Sequence, residues 1–390
     1  MSPRRLLAAL FFVHIGGAGA WVPFLGLHLE RTVHQGAIIG ALLALSPAAR
    51  MLSAPLWSLV ADRFRSGRGM LRLATTSSIL AAAAIAFLDL EPLALGLALV
   101  TFSALRAPIG PLLDSAAVRL IVEEGGNPQD YGRLRLWGTV GFLALSGAAA
   151  MLVDGEAGAS LALGMAVGAW VLSAGMTFLL PAAPPSAPAP ILPALRRLAR
   201  SPFLGPMLVA LALHGMGLTL YDSLLAVHLE ARGMTGGWVA LALGFGLVTE
   251  IAVMAWGGRL LARWGAFPLL TFAAAVGVLR WVATALVTLP LALVALQSLH
   301  GISFAVFWIA GVEVMRRHAP EEVQARAQAL LTSTSYGVGA LLSSGAVALM
   351  LDRWGTPGLF LVAAGAGVLA TAGLWLAQRR APERPRDAAG

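Results

Sequence analysis

Apolar residues run through this sequence in long blocks that short polar segments separate. A helix that crosses the hydrocarbon core of a bilayer needs about 20 mainly apolar residues, and twelve blocks are long enough. Those of the first half lie at about residues 6–28, 36–60, 70–89, 92–115, 135–153 and 158–180. Those of the second half lie at about residues 203–227, 237–258, 267–288, 291–314, 328–351 and 357–377. The pattern therefore predicts an all-α membrane protein with twelve transmembrane helices.

The longest segment outside these blocks, Pro181 to Pro202, is rich in proline and lies near the middle of the chain. Proline removes backbone donors and biases the preceding residue away from helix, which predicts an extended linker. Its last part, Ala194 to Arg200, fits either a short amphipathic helix on the membrane surface or ordinary exposed chain. The predicted organisation is an N-terminal six-helix bundle (1–180), a cytoplasmic linker (181–202), a C-terminal six-helix bundle (203–378) and a cytoplasmic tail (379–390).

Composition excludes several classes of protein. The chain is 58% hydrophobic and 12% charged with a mean hydropathy of +0.80, more apolar surface than a soluble domain can cover. It has no cysteine, so disulfides and thiolate chemistry are absent. The net charge of +8 comes from residues scattered between apolar blocks, which argues against a nucleic-acid partner. The histidines lack metal-ligand spacing, and we expect neither a metal nor another cofactor apart from a coupling proton.

Arginine supplies every basic side chain, and its distribution predicts the orientation of the chain. With both termini in the cytoplasm, 21 arginines lie on the inner side, three lie on the outer side and three lie inside predicted spans. Loops rich in arginine and lysine stay in the cytoplasm. We therefore expect a multi-pass protein of the cytoplasmic (inner) membrane.

The two halves repeat each other at an offset of about 200 residues. His14 and His28 recur as His214 and His228, and several residues from Val140 to Asp154 recur at matching positions up to Asp352. Six helices followed by six in the same orientation form a parallel repeat.

The loop after the second predicted span carries a family resemblance. Ser58 to Arg63 reads SLVADR, which is similar to the GxLADRxGR signature of the major facilitator superfamily. The second-half copy keeps Arg263 but lacks the aspartate. The resemblance implies two six-helix bundles that alternate access to a central site, with Asp62, Arg63 and Arg263 as gating residues.

A narrower resemblance lies in GRLRLWGTVGF at residues 132–142, which is similar to the lactose permease and phenylpropionate permease branch of proton symporters. In that branch the residues matching Arg135 and Phe142 bind substrate. An arginine fork can bind hydroxyls or a carboxylate, and an aromatic face can pack on a flat apolar surface. A simple cytoplasmic location remains open for Arg133 and for Arg135.

Ionisable side chains near the middle of predicted spans are costly, so each needs a partner or a wet cavity. Five such residues fall into one layer: Arg50, Arg106, Glu250, Arg280 and His300. Arg50 and Glu250 occupy equivalent repeat positions, and we expect Arg50 at the interface between bundles and Arg106 at the substrate. Ion pairs that only hold helices together are the alternative.

The segment LQSLHGISF at residues 296–304 resembles the tenth span of the same symporters, in which an arginine, this histidine and a nearby acid couple transport to protons. The matching residues are Arg280 and His300, both also expected at the substrate, but Ser303 replaces the acid. Glu250 is the best substitute, since a neighbouring arginine and burial both change a carboxyl's affinity for protons. Asp222 matches an acid of the sugar permeases and is expected to be structural or gating.

These residues predict a secondary transporter, not an enzyme, that functions as a monomer in the bilayer on a small-molecule substrate. The excess of arginine over acid at the midplane favours proton symport of an organic carboxylate, for example an aromatic one. Alternatives are a sugar or nucleoside symporter, an efflux transporter and, from other classes, a membrane-bound enzyme or a transporter-like sensor.

Overall fold

A computed structural model describes residues 3–64, 67–123, 131–155, 157–180, 202–318 and 330–381. Seven helices form the first half: α1 (Pro3–Val33), α2 (Gly36–Phe64), α3 (Gly67–Phe87), α4 (Pro92–Arg106), α5 (Ile109–Glu123), α6 (Tyr131–Ala150) and α7 (Gly158–Thr177). The second half has α8 (Leu204–Glu230), α9 (Gly236–Trp264), α10 (Ala266–Leu286), α11 (Pro290–Leu296), α12 (Phe307–His318) and α13 (Gly339–Arg380). Two π-helical segments, Gly301–Val306 and Ser333–Val338, precede α12 and α13.

Within these residues, ten helices are long and apolar enough to cross a membrane. The predicted fifth span is a shorter apolar helix, Leu134–Ala150. The predicted eleventh and twelfth spans share the continuous stretch 330–380, which turns at Gly355. Gly355 has φ 60°, a backbone conformation that favours glycine. The expectation of an all-helical membrane protein is confirmed.

Two of the predicted spans are interrupted near their middle. The fourth divides into α4 and α5 after Arg106, next to Pro108 and Pro111, each of which lacks the backbone N–H that a continuous helix needs. The tenth breaks at Gln297 and Ser298, between α11 and the first π-helical segment, and no proline marks that break. Segments of π-helix are rare and often lie at functional sites.

The helices of each half pack mainly on one another, and a few pairs of helices make contacts between the halves. Helix α1 packs on α6 and α7, and α8 packs on α13. Between the halves, α1 contacts α8, α2 contacts α13, and α6 contacts α9. At the α1–α8 crossing, a Cβ on Gly26 would overlap the backbone oxygen of Ser223. The absence of a side chain at Gly26 therefore permits this close approach.

Two aspartates tie the halves together at one end of the helices, and we call these contacts the carboxylate clasps. Asp154, just after α6, accepts a hydrogen bond of 2.7 Å from the backbone N–H of Gly236, the first residue of α9. Asp352 in α13 accepts bonds of 2.8 and 3.0 Å from the N–H of Gly36, the first residue of α2. The exposed N–H groups and the positive end of the helix dipole both favour a carboxylate there.

An arginine completes the same end. Arg31 lies 2.5 Å from the carboxylate of Glu230 in the other half and donates to the backbone oxygens of Gly155 (2.9 Å) and Val153 (3.1 Å). The structure is therefore closed between the halves at the end where α1 and α8 finish.

Some predicted features lie outside the described part of the chain. These are the linker at 181–201, the tail at 382–390 and the side chains of Arg133 and of the gating candidates Asp62 and Arg63, whose backbone belongs to the last turn of α2.

Candidate functional site

A cavity of about 630 Å³ lies between the two halves, with walls from both. Its size is typical of sites for small organic molecules. Charged and titratable side chains on the wall are Arg50, Arg106, Arg135, Asp222, Glu250, His300, Tyr221 and Tyr336. Aromatic and hydroxyl groups fill much of the remainder: Trp21, Phe102, Phe142, Trp170, Phe304, Ser46, Ser103, Thr139, Thr219, Ser223, Ser343 and Ser344.

The charges on the wall divide by half. Arg50, Arg106 and Arg135 come from α2, α4 and α6 of the first half. Asp222 and Glu250 come from α8 and α9 of the second half. Among the described residues, none of the three guanidinium groups forms an ion pair with a carboxylate. One wall is therefore basic and the other acidic.

The interruption between α4 and α5 places Arg106 at a helix end inside the cavity wall. Its guanidinium carbon lies 3.8 Å from the ring centroid of Trp170 and 5.3 Å from that of Phe102. Trp21 joins these rings, with centroids 4.7 Å from Phe102 and 5.2 Å from Trp170. This cation–π arrangement stabilises a positive charge where water is scarce.

On the opposite wall, His300 stands between two aromatic rings. Its ring stacks on Phe304 (centroids 5.2 Å apart, 7° between planes) and on Tyr221 (5.3 Å, 27°). His300 Nε2 lies 3.4 Å from a carboxylate oxygen of Glu250. A Cβ on Gly301 would overlap the backbone of Thr249 and Glu250, so this glycine lets the π-helical segment approach α9. The structure thus brings together Glu250 and His300, two of the three residues expected to take part in proton coupling.

Arg280 lies behind this wall instead of on it. Its side chain is fully buried at 0% exposure and does not line the cavity. It donates to Ser303 Oγ (3.2 Å) and Gln297 Oε1 (3.3 Å), and its guanidinium covers the Tyr221 ring at 3.8 Å. Ser303, which stands where the symporters have their acid, thus accepts a hydrogen bond from Arg280. The carboxylate next to His300 comes from Glu250 instead.

Of the other predicted residues, some line the cavity and one, Arg263, lies at the surface. Arg135 and Phe142 line the cavity, as does Arg50, whose guanidinium makes no hydrogen bond among the described residues. Asp222 also lies on the wall. Arg263 is exposed in the last turn of α9, with its guanidinium carbon 5.6 Å from the Trp264 ring.

Sequence reasoning missed Gln297, the second partner of Arg280, and Tyr336 on the cavity wall. Neither residue carries a charge at bilayer depth, which was the signal used to select candidates. Tyr336 lies in the second π-helical segment, and nothing in the apolar pattern of that stretch marks it. In the described part of the chain, no group of three His, Asp or Glu side chains could hold a metal ion.

Comparisons with known proteins agree with this architecture. Residues 5–362 match the model of the MFS_1 like family. The chain is 32% identical over 371 residues to a protein named "Maltose permease" from Geobacillus stearothermophilus, a match that covers 92% of this chain and 91% of the relative. It is 27% identical over 350 residues to the "Probable 3-phenylpropionic acid transporter" of Escherichia coli (strain K12), covering 86% and 88% of the two chains. The crystal structure of nucleoside transporter NupG has the same fold, with a TM-score of 0.84 at 19% identity over 96% of this chain and 99% of that one.

Proposed function

Because this chain belongs to the MFS_1 like family, we propose that it is a proton-coupled symporter that carries a small organic carboxylate through the cavity between its halves. Membership of the family makes it a transporter of small solutes and confirms the resemblance to the major facilitator superfamily. The substrate class and the coupling ion are the parts that we propose.

The three arginines on the basic wall carry this proposal. A cation at bilayer depth costs about 2.5–3.5 kcal/mol on insertion scales unless a partner or water compensates. No described carboxylate is paired with Arg50, Arg106 or Arg135. A bound carboxylate would supply the missing charge, and arginine binds that group through paired, charge-assisted hydrogen bonds. Phe142 and Phe304 on the wall offer ring faces to an aromatic or other flat substrate.

The contact between Glu250 and His300 supports proton coupling. An acid and a histidine at 3.4 Å can share one proton, and both groups face the cavity that the substrate enters. Arg280 is separated from His300 by the ring of Tyr221, which contacts both side chains. If a substrate anion binds together with a proton on Glu250, the net charge of the protein does not change. The electrostatic free energy of the conformational change with substrate bound then stays small, even in a low-dielectric region.

We further propose that the halves rock about the cavity, and that both carboxylate clasps close their end of the molecule while the opposite end is open. Both termini face the cytoplasm in this proposal, as the arginine distribution indicates. The clasps then lie on the outer side, and the cavity exchanges solute with the cytoplasm. A single chain in the cytoplasmic membrane contains both walls of the site.

A sugar is the second candidate substrate. A neutral polyhydroxylated solute needs acceptors as well as donors, and Asp222 and Glu250 provide acceptors opposite the arginines. The relative named as a maltose permease points the same way. The charge excess of the basic wall favours the carboxylate.

The test uses purified protein in liposomes with an inward proton gradient and labelled 3-phenylpropionate or labelled maltose. We expect gradient-driven accumulation of the acid. Glu250→Gln should abolish that accumulation while retaining exchange of internal for external substrate. Glu313→Gln is the matched control, because Glu313 binds Arg316 and Arg317 outside the cavity.

Three results would contradict the proposal in different places. Accumulation of maltose but not of the acid would reverse the order of the two substrates. Accumulation that ignores the proton gradient would remove proton coupling. Normal accumulation by Glu250→Gln would remove Glu250 from the coupling step.

A further inference from the structure

A histidine lies directly behind the basic wall. His14 on α1 is only 7% exposed and does not itself line the cavity. Its Nε2 lies 3.3 Å from Nη2 of Arg106, and its Nδ1 lies 3.4 Å from Oγ of Ser173. Arg106 is the wall residue that this histidine touches.

These two contacts determine which nitrogen of His14 carries its proton. An arginine guanidinium only donates hydrogen bonds, so His14 Nε2 must accept from Arg106. A neutral imidazole with an accepting Nε2 carries its proton on Nδ1, where the hydroxyl of Ser173 can accept it. The serine thereby favours the tautomer that Arg106 requires.

The main chain of His14 also positions Trp170, the aromatic ring that packs on Arg106. The backbone oxygen of His14 accepts a hydrogen bond of 3.1 Å from Trp170 Nε1, and the Trp170 ring lies 3.8 Å from the guanidinium carbon of Arg106. One turn later, a Cβ on Gly17 would overlap the Trp170 ring, so glycine leaves room for it. His14 therefore fixes Arg106 twice, through its side chain and through Trp170.

The equivalent histidine of the second half is arranged differently. His214 Nε2 donates to the backbone oxygen of Ser303 at 2.8 Å, so its proton is on Nε2, and its Nδ1 has no hydrogen-bond partner among the described residues. Within the described ranges, His214 makes no hydrogen bond to an arginine side chain. The repeat has thus kept a histidine in both halves, but only the first-half copy supports a cationic side chain on the cavity wall.

We infer that Arg106 is the subsite for the carboxylate of the substrate and that His14 is a positioning residue for it, an inference that rests on the proposed function. A guanidinium already held on two sides loses little freedom when it binds an anion, and its N–H groups not used by His14 remain for the ligand. Arg50, with no such support, is less suited to fix the orientation of a substrate.

The test compares His14→Leu, which removes the acceptor, with His14→Gln, whose amide oxygen can replace Nε2. The probes are 3-phenylpropionate and its neutral amide, 3-phenylpropanamide, and the readouts are KM and Vmax of uptake. His28→Gln is the matched control, because His28 is buried on the same helix, lies 3.4 Å from the hydroxyl of Ser160 and makes no hydrogen bond to an arginine side chain among the described residues.

We expect His14→Leu to raise the KM for the acid about tenfold, the value of one hydrogen bond to a charged group, with a smaller change in Vmax. Its KM for the amide should change little, so the preference for acid over amide falls. His14→Gln should restore most of that preference, and His28→Gln should leave it unchanged.

An unchanged preference in His14→Leu would overturn the inference, as would an equal loss in His14→Gln and His14→Leu when both are folded. Nitrogen-15 NMR of histidine-labelled protein tests the arrangement without any substrate: a proton on Nε2 of His14 would also overturn it. If the unaltered protein carries maltose and rejects the acid, the proposed substrate class fails and the subsite assignment fails with it, while an Nδ1 proton would still locate His14 as the support of Arg106.

Discussion

The carboxylate clasps make a quantitative prediction about the equilibrium between the closed and open forms of one end of the molecule. Asp154→Ala removes the acceptor for Gly236 N–H, and Asp352→Ala removes the acceptor for Gly36 N–H. Both bonds join one half to the other, so both must break when this end opens. The substitutions should therefore destabilise the closed form and leave the open form unaffected.

The size of the effect follows from the geometry. Each aspartate acts as a cap for the first residue of a helix in the other half, and both aspartates are exposed residues. Removal of such a cap costs about 1 kcal/mol. The two clasps are on different helix pairs, so their contributions should add to about 2 kcal/mol, a change of about 30-fold in the closed-to-open ratio. A ratio of about 30 to 1 would become about 1 to 1 in the double variant.

The absence of cysteine makes the measurement direct, because spin labels attach only to introduced cysteines. Leu88 and Leu289 suit this purpose, since they are 59% and 65% exposed and follow α3 and α10 at the clasp end. Pulsed electron paramagnetic resonance then gives the distribution of distances between the halves. The double variant should gain a population at longer distance, and each single variant should gain less.

Arg353→Ala is the control, since Arg353 is exposed beside Asp352 and makes no ion pair with another described residue. Asp→Asn at the clasp positions keeps an acceptor and removes the charge, so it should widen the distribution less than Asp→Ala. A double Asp→Ala variant with the same distances as the unaltered protein would refute the idea that these carboxylates hold the end closed.

Two further predictions concern contacts between the halves. Gly26→Ala should lower the melting temperature, because the added methyl group would crowd the backbone oxygen of Ser223 at an overpacking cost of about 1–3 kcal/mol. Gly175→Ala is the control and should not lower it, because Gly175 has open space around it. Equal melting temperatures for the two variants would contradict the prediction. Arg31→Ala should lengthen the spin-label distances more than Glu230→Gln. Arg31 binds the backbone oxygens of Val153 and Gly155, which flank the clasp residue Asp154, so its loss should loosen that clasp as well as the ion pair, and the exposed ion pair contributes at most about 1 kcal/mol. The reverse order would show that the ion pair dominates.

Hydropathy located long apolar helices because the bilayer sets a minimum length for each apolar block, and ten helices among the described residues reach that length. The interruption of the fourth span is visible in the sequence as Pro108 and Pro111, just after Arg106, since proline disrupts the helix interior. The break at Gln297 escaped notice because it depends on packing around Arg280 and the π-helical segment, and no residue type in that stretch forces it.

Depth in the membrane proved a poor guide to which side of a helix a charge occupies. Counting from the predicted ends placed Arg106 and Arg280 in one layer, yet Arg106 lines the cavity and Arg280 lies behind Tyr221. Each residue turns the side-chain direction by about 100° around a helix, so small errors in register move a residue from cavity to core. Glu250 and His300 were both expected in the coupling cluster, because the resemblance to the proton symporters implied an acid near this histidine and Ser303 does not supply one; the structure places the two side chains 3.4 Å apart.

The clasps also have the symmetry of an isologous dimer. Residue Asp154 of the first half holds Gly236 of the second, and Asp352 of the second half holds Gly36 of the first. The same reciprocity is found at a twofold interface between identical subunits, where each contact between two surface positions occurs once in each direction. A polypeptide of half this length could thus have closed one end by pairing with its own copy. In the fused chain, covalent connection raises the effective concentration of one half near the other, while the two halves remain free to acquire walls of opposite charge.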